Sequence, residues 1–264
     1  MDRGTTPAIF WKTYPDRLRM TEREVHVWRA DLHASPSAQE RLVACLSAEE
    51  KSRAERFVFA RDRDFWVACR GILRQILSLY LDEHPGNIEF IREPAGKPRL
   101  GPHRQSSEPP IMFNVSHSNG LALVALTLEQ EVGIDLEKVR SEFATHEIAE
   151  RYFSRQEQAE FRSLPDELQT EAFFLCWTRK EAFVKARGEG LQVPLDSFAV
   201  SLTPGRPEVL TSADAERWHM FSFSPAPSYV AALVTEGRKT ERSFWEWQPK
   251  GSSGVPAELP AQET

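Results

Sequence analysis

The chain has 264 residues, 41% of them apolar, seven tryptophans and a formal net charge of -6. That length and composition suit a folded globule with a well-buried core, in one large domain or two smaller ones. The acidic balance argues against a dedicated nucleic-acid binder, and no run approaches the ~20 apolar residues that cross a bilayer.

Cys45, Cys69 and Cys176 are scattered and odd in number, with no CxxC pair, so neither a disulfide framework nor a zinc knuckle is indicated. The chain opens Met1-Asp2-Arg3-Gly4 without the apolar stretch of a signal peptide, and a cytoplasmic protein is the expectation.

Residues 1–24 read as a mixed N-terminal extension, and 25–30 as a first strand by weak alternation. Ser47 followed by Glu50 has capping-box spacing, so a helix begins near Ser47. Apolar positions recur from Phe57 to Leu77, as one long helix or as two broken near Arg61–Arg63. A short strand at 88–91 leads into the Glu93–Pro98 turn and a polar, Pro-rich loop at 101–110. Three strands follow at 111–115, 121–128 and 131–136, joined by tight turns.

Helices are expected at 143–151, after Ser154 (with Glu157 again at capping-box spacing), and at 167–187, ending at Gly188 or Gly190. Strands return at 196–201, 217–223 and 229–235. Residues 238–264 read as a tail with Trp245 and Trp247 as anchors and its last ten residues disordered. Segregated helical and antiparallel-strand stretches give an α+β class. Element order repeats between an N-terminal half at 25–126 and a C-terminal half at 127–237, without a sequence repeat.

Two segments carry the chemistry. Gly133-Ile134-Asp135-Leu136-Glu137 places two carboxylates two apart in a strand, hence on one face. Trp177-Thr178-Arg179-Lys180-Glu181-Ala182-Phe183-Val184-Lys185 places Glu181 and Lys185 four apart on a helix, again on one face. Taken alone, the first is also a hairpin strand with a wet face, and the second an ordinary surface ion pair. Together, three carboxylates and an ammonium suit a hard divalent cation in phosphate chemistry. Ser116 and His117 at a strand end, Lys97 on a Gly-Lys-Pro turn, and the basic run holding Arg53 are further phosphate-binding candidates.

Glu93–Pro98, Phe113–Ser118, Gly133–Glu137, Arg151–Ser154 and Trp177–Leu191, with Pro194–Phe198 trailing, resemble the 4'-phosphopantetheinyl transferases of the larger, monomeric class. The resemblance runs over about residues 25–235 and implies a pseudo-twofold pair of similar α/β halves with coenzyme A between them. It implies magnesium, or manganese in its place, on Asp135, Glu137 and Glu181, with Lys185 at the pyrophosphate. It further implies that Ser116 and His117 meet the nucleotide phosphates, with Lys97 and Arg53 holding other parts of the nucleotide. The catalytic set implied is Glu181, Lys185 and Asp135.

Where the family carries an arginine after an aspartate in the first helical region, this chain has Phe65. The implied partners are coenzyme A and apo acyl- or peptidyl-carrier domains, which are small, acidic and helical. The 143–162 segment is the expected docking region, and no nucleic acid or membrane partner is expected. The carboxylate set by itself also admits another magnesium-dependent phosphoester enzyme, or an inactive scaffold that binds carriers.

Overall fold

Two 22-residue helices, α3 (Ala60–Leu81) and α6 (Asp166–Arg187), each cover one sheet. The computed structural model describes residues 7–15, 18–92, 96–101, 109–143, 146–190, 193–237 and 241–249. In chain order the N-terminal half contains β1 (Glu24–Asp31), α1 (Pro36–Ala44), α2 (Ala48–Ala54), α3, β2 (Phe90–Arg92), β3 (Pro98–Leu100), β4 (Ile111–Ser118) and β5 (Leu121–Leu128). The C-terminal half contains β6 (Val132–Lys138), α4 (His146–Tyr152), α5 (Arg155–Ser163), α6, β7 (Ala199–Val200), β8 (Leu210–Thr211), β9 (Trp218–Phe223) and β10 (Tyr229–Glu236). A last strand, β11 (Glu241–Glu246), closes the described chain.

The sheets run β11-β1-β5-β4 and β6-β10-β9. Alternation along each strand builds the layers. Trp28, Ala30, Val124 and Leu126 face α3, while Val25, Val27, Leu123 and Ala125 turn the other way. There they meet Ile134, Leu136, Ala231 and Leu233 of the second sheet. Val230, Ala232 and Val234 of β10 then face α6. The order is therefore helix, sheet, sheet, helix, an α+β architecture of two similar halves.

Both capping boxes form: Ser47 with Glu50 starts α2, and Ser154 with Glu157 starts α5. Helix α6 stops at Gly188, whose φ of 71° lies in the left-handed region that glycine adopts without penalty.

Several sequence expectations change. The break in the first helical region falls at residues 55–59, ahead of Arg61–Arg63. Helix α1 was not expected; Ser35 caps it, Pro36 opens it, and only Ala38 and Leu42 are buried, so its apolar stripe is too thin to read. The 196–201 strand shrinks to Ala199–Val200, because Leu195–Ser197 winds into a 3-10 turn. The tail contributes β11, which pairs parallel to β1 with Trp28 opposite Trp245. Residues 93–95, the 102–108 part of the polar loop and the last ten residues lie outside the described residues.

Candidate active site

The two halves meet at strands β4 and β6, which are edge strands of separate sheets. Buried edge amides need partners, and polar side chains of β4 supply them. Asn114 Oδ1 accepts from the Ile134 amide (2.9 Å), Ser116 Oγ from Leu136 (3.3 Å) and Ser118 Oγ from Lys138 (3.2 Å). The two-residue step of β4 matches that of β6, so the contacts form a regular clip across the seam. The same hydroxyls donate onward, Ser116 to Asp135 Oδ1 at 3.0 Å and Ser118 to Glu137 Oε2 at 2.8 Å.

Asp135 and Glu137 occupy the face of β6 turned away from the Ile134 and Leu136 layer. Helix α6 runs close against this strand at Gly133, where an added Cβ would lie 2.0 Å from the Ala182 carbonyl oxygen and 2.4 Å from the Ala186 nitrogen. That approach brings the two motifs together. Lys185 Nζ donates to Asp135 Oδ1 (2.6 Å), Ser116 Oγ (3.1 Å) and the Ile134 carbonyl (3.3 Å).

Asp135 is 4% exposed, and its Oδ2 is buried without a hydrogen-bond partner. Burial pushes the Glu181 carboxyl above the ordinary glutamate range, and the Asp135 charge adds to this. Glu137 is raised as well, by burial first, with Asp135 adding against the Ser118 bond. Crowded carboxylates of this kind favour a cation among them. An orphaned buried oxygen and three hard oxygen donors fit a divalent ion of the magnesium type. Among the described residues, no three His, Cys, Asp or Glu side chains are drawn tightly enough to hold an ion, and the Lys185 ammonium sits on Asp135.

Beside these groups lies a cleft of about 570 Å³, lined from the N-terminal half by Lys97 and Asn114 and from the other by Tyr152, Glu181, Lys185 and Leu195. Asp135, Glu137, Ser116 and His117 are not in its lining. His117 is exposed on β4; desolvation by the surrounding protein, then the Lys185 charge, lowers its pKa below the histidine norm.

Lys97 is buried, and its ammonium donates to Glu131 Oε2 (2.8 Å), Val132 O (3.1 Å) and Ala186 O (3.2 Å), tying the turn before β3 to the C-terminal half. Arg53 lies on α2 with its guanidinium 5.4 Å from the Trp66 ring centre, in a separate hollow of about 830 Å³ that also holds Arg70. Pro98 lines both that hollow and the cleft.

One further residue shapes the cleft and was not read from the sequence. Lys180 is fully buried, paired with Glu157 at 2.8 Å, and donates to the carbonyls of Leu195 (2.8 Å) and Phe198 (2.7 Å). Glu157 in turn accepts from the Val200 amide at 2.7 Å. This pair pins the turn that carries Leu195. Its signal in the sequence was a third charge in a row, between Arg179 and Glu181, on a helix that also carries Phe173, Phe174 and Phe183.

Residues 131–234 match the model of the 4'-phosphopantetheinyl transferase superfamily, and residues 31–129 match that of the 4'-phosphopantetheinyl transferase N-terminal region. The 4'-phosphopantetheinyl transferase HetI of Nostoc sp. (strain PCC 7120) is 39% identical over 237 residues, covering 90% of this chain and 98% of that protein. The chain belongs to the 4'-phosphopantetheinyl transferase superfamily.

Sfp of Bacillus subtilis (strain 168), also a 4'-phosphopantetheinyl transferase, is 31% identical over 65% of this chain and 73% of its own length. The human L-aminoadipate-semialdehyde dehydrogenase-phosphopantetheinyl transferase is 35% identical over 64% of this chain and 57% of its own. A holo-(acyl-carrier-protein) synthase of Bacillus anthracis superposes with a TM-score of 0.35 at 23% identity, covering 41% of this chain and 96% of that one. For this superfamily member the reaction class is phosphopantetheinyl transfer from coenzyme A onto carrier proteins. No helix among the described residues is long and apolar enough to cross a membrane.

Proposed function

We propose that this transferase moves 4'-phosphopantetheine from coenzyme A to a serine of an apo acyl- or peptidyl-carrier domain, leaving adenosine 3',5'-bisphosphate. The observation that carries the reading is the 2.6 Å contact of Lys185 with Asp135, which joins the strand motif and the helix motif beside a cleft shared by both halves.

Asp135, Glu137 and Glu181 would hold magnesium or manganese, whose role when bound is to neutralise charge on the pyrophosphate. Glu181 lines the cleft with a raised pKa and is suited to take the proton of the carrier serine as its oxygen attacks the β-phosphorus. Lys185 offsets charge on the departing bisphosphate. His117 serves the 3'-phosphate. Arg53 in its neighbouring hollow serves the nucleotide, with Pro98 as the wall common to both spaces.

Lys97 acts on the nucleotide through its turn, since its ammonium already holds the C-terminal half. Ser116 likewise meets the phosphates through Lys185 and Asp135, to which its hydroxyl is bonded.

An acidic carrier finds a basic, apolar docking point just past Glu137. There the Arg140 guanidinium lies 4.0 Å from the Phe143 ring centre, and Phe143 is 45% exposed. Of the other aromatics in the 143–162 segment, Phe153 and Phe161 are core and unavailable.

The test is intact mass spectrometry of purified apo acyl-, peptidyl- and aryl-carrier domains with coenzyme A. The expected gain is one phosphopantetheine group on the carrier, together with release of adenosine 3',5'-bisphosphate. Coenzyme A binding without any mass gain would favour a carrier-binding scaffold instead.

A further inference from the structure

Ser116 and Ser118 each bridge the seam and touch a carboxylate of the opposite strand. A serine hydroxyl has one hydrogen and two acceptor positions. Ser116 Oγ accepts from the Leu136 amide and from Lys185 Nζ, so its hydrogen is left for Asp135 Oδ1. Ser118 Oγ accepts from the Lys138 amide, and its hydrogen goes to Glu137 Oε2. Asn114, one step earlier, accepts from Ile134 in the same way, but the neighbouring position on β6 is Gly133, so the clip there has no acid to hold.

In each case one carboxylate oxygen is occupied by a hydroxyl whose position is set by a backbone amide. The other oxygen of Asp135 is buried and unpartnered.

We propose that Ser118, with Ser116, is a positioning residue that holds each carboxylate by one oxygen, so that Glu137 and Asp135 each offer a cation a single oxygen, and that Ser118 thereby favours a small octahedral ion over a larger one. This rests on the assignment of Asp135, Glu137 and Glu181 as cation ligands. The reason for the preference is coordination number. Magnesium-type ions take six ligands at short, rigid distances, whereas calcium takes six to eight and accepts carboxylates through both oxygens. A glutamate released from Ser118 is free to turn both oxygens to the ion, which suits calcium better. Partners behind metal ligands commonly change metal affinity by ~10–100-fold.

The experiment is manganese binding followed by electron paramagnetic resonance, at saturating coenzyme A and without carrier, corrected for coenzyme A alone, with calcium as competitor. Wild type is expected to bind manganese, and Asp135→Asn to lose it. Ser118→Ala is expected to bind manganese ~10-fold more weakly while calcium loses less, so the preference for manganese falls several-fold. Ser118→Thr keeps the hydroxyl in a strand-favouring residue and should restore the wild-type preference.

An unchanged manganese-to-calcium ratio in Ser118→Ala, or a threonine variant that behaves like alanine, overturns the positioning role while leaving the metal ligands standing. Wild type and Asp135→Asn binding manganese equally would overturn the ligand assignment itself, and the positioning role with it.

Discussion

Lys185 on α6 and Asp135 on β6 are fifty positions apart in the chain and 2.6 Å apart in space. Asp135 is almost wholly enclosed, and the side chain of Lys185 is 28% exposed at the cleft edge. Removing one partner of an enclosed pair leaves the other charge uncompensated, while the exposed end is cheaply re-solvated. Lys185→Ala should therefore reduce kcat by orders of magnitude and also lower the melting temperature, because the enclosed Asp135 charge loses its partner. Turnover within a few-fold of wild type would return Lys185 to a purely structural role.

Asp135→Asn keeps the shape and the Ser116 contact but removes the charge. Loss of ~10³-fold or more in kcat/KM is expected, equivalent to about 4 kcal/mol in the transition state. The folded state should survive, because the variant relieves repulsion with Glu181 and Glu137, whose carboxyls Asp135 helps to raise. Chelation of divalent ions should silence wild type and leave this variant little further to lose. Circular dichroism and turnover, with and without chelator, measure both.

Gly133 is where α6 touches β6, and the atoms facing its Cα are backbone atoms of Ala182 and Ala186 that have no rotamer to yield. Gly133→Ala should cost about 3 kcal/mol or more, at or above the upper end for added core volume. The shift should move Glu181 and Lys185 away from Asp135, lowering activity more than the remaining folded fraction explains. Denaturant midpoints and activity per folded molecule decide it. A variant as stable and active as wild type would mean that helix and strand are less closely packed.

Glu131 ties Lys97 and Arg99, and through them the turn before β3, to the start of β6. Burial alone raises its carboxyl; the bonds from Arg99 and Lys97 outweigh this and hold the pKa below the usual glutamate value. A depressed folded-state pKa means stability that is present above the unfolded value of 4.5 and is lost as pH falls through the folded value. Glu131→Gln should therefore be less stable than wild type at pH 7, with the difference closing as pH falls below 4.5 and through the folded-state value. Urea midpoints across that range test it, and a gap that widens at low pH would contradict the sign.

The pKa of His117 is lowered by desolvation and then by Lys185. A phosphate bound at this ring would favour the charged form, so coenzyme A binding should take up protons and tighten as pH falls toward 6. His117→Ala should raise KM for coenzyme A and spare 3'-dephospho-coenzyme A, with a coupling of ~1–3 kcal/mol for a bond to a charged group. Equal losses on both substrates would place the ring away from the 3'-phosphate.

The local patterns were sufficient for much of this. Alternation at Asp135 and Glu137, and the four-residue step from Glu181 to Lys185, are properties of strand and helix geometry and hold wherever the elements pack. The same is true of both capping boxes and of the glycine stop at 188, each decided within a few residues. The ordered motifs along the chain pointed to the family before any contact was known.

What tertiary structure alone decided depends on pairings across long stretches of chain, which no local period records. Ser116 accepts from the Leu136 amide across the seam and Lys97 donates to the Val132 and Ala186 carbonyls, because the two halves met there with unpaired backbone groups. The tail entered the first sheet as β11 because β1 had a free edge, sealed by the Arg29 to Glu246 ion pair. Lys180 could be buried only because Glu157 and two carbonyls of a distant turn converge on it. A desolvated charge or an orphan amide is resolved by whatever group the folded chain brings within about 3 Å, and that is settled by packing, not by sequence neighbours.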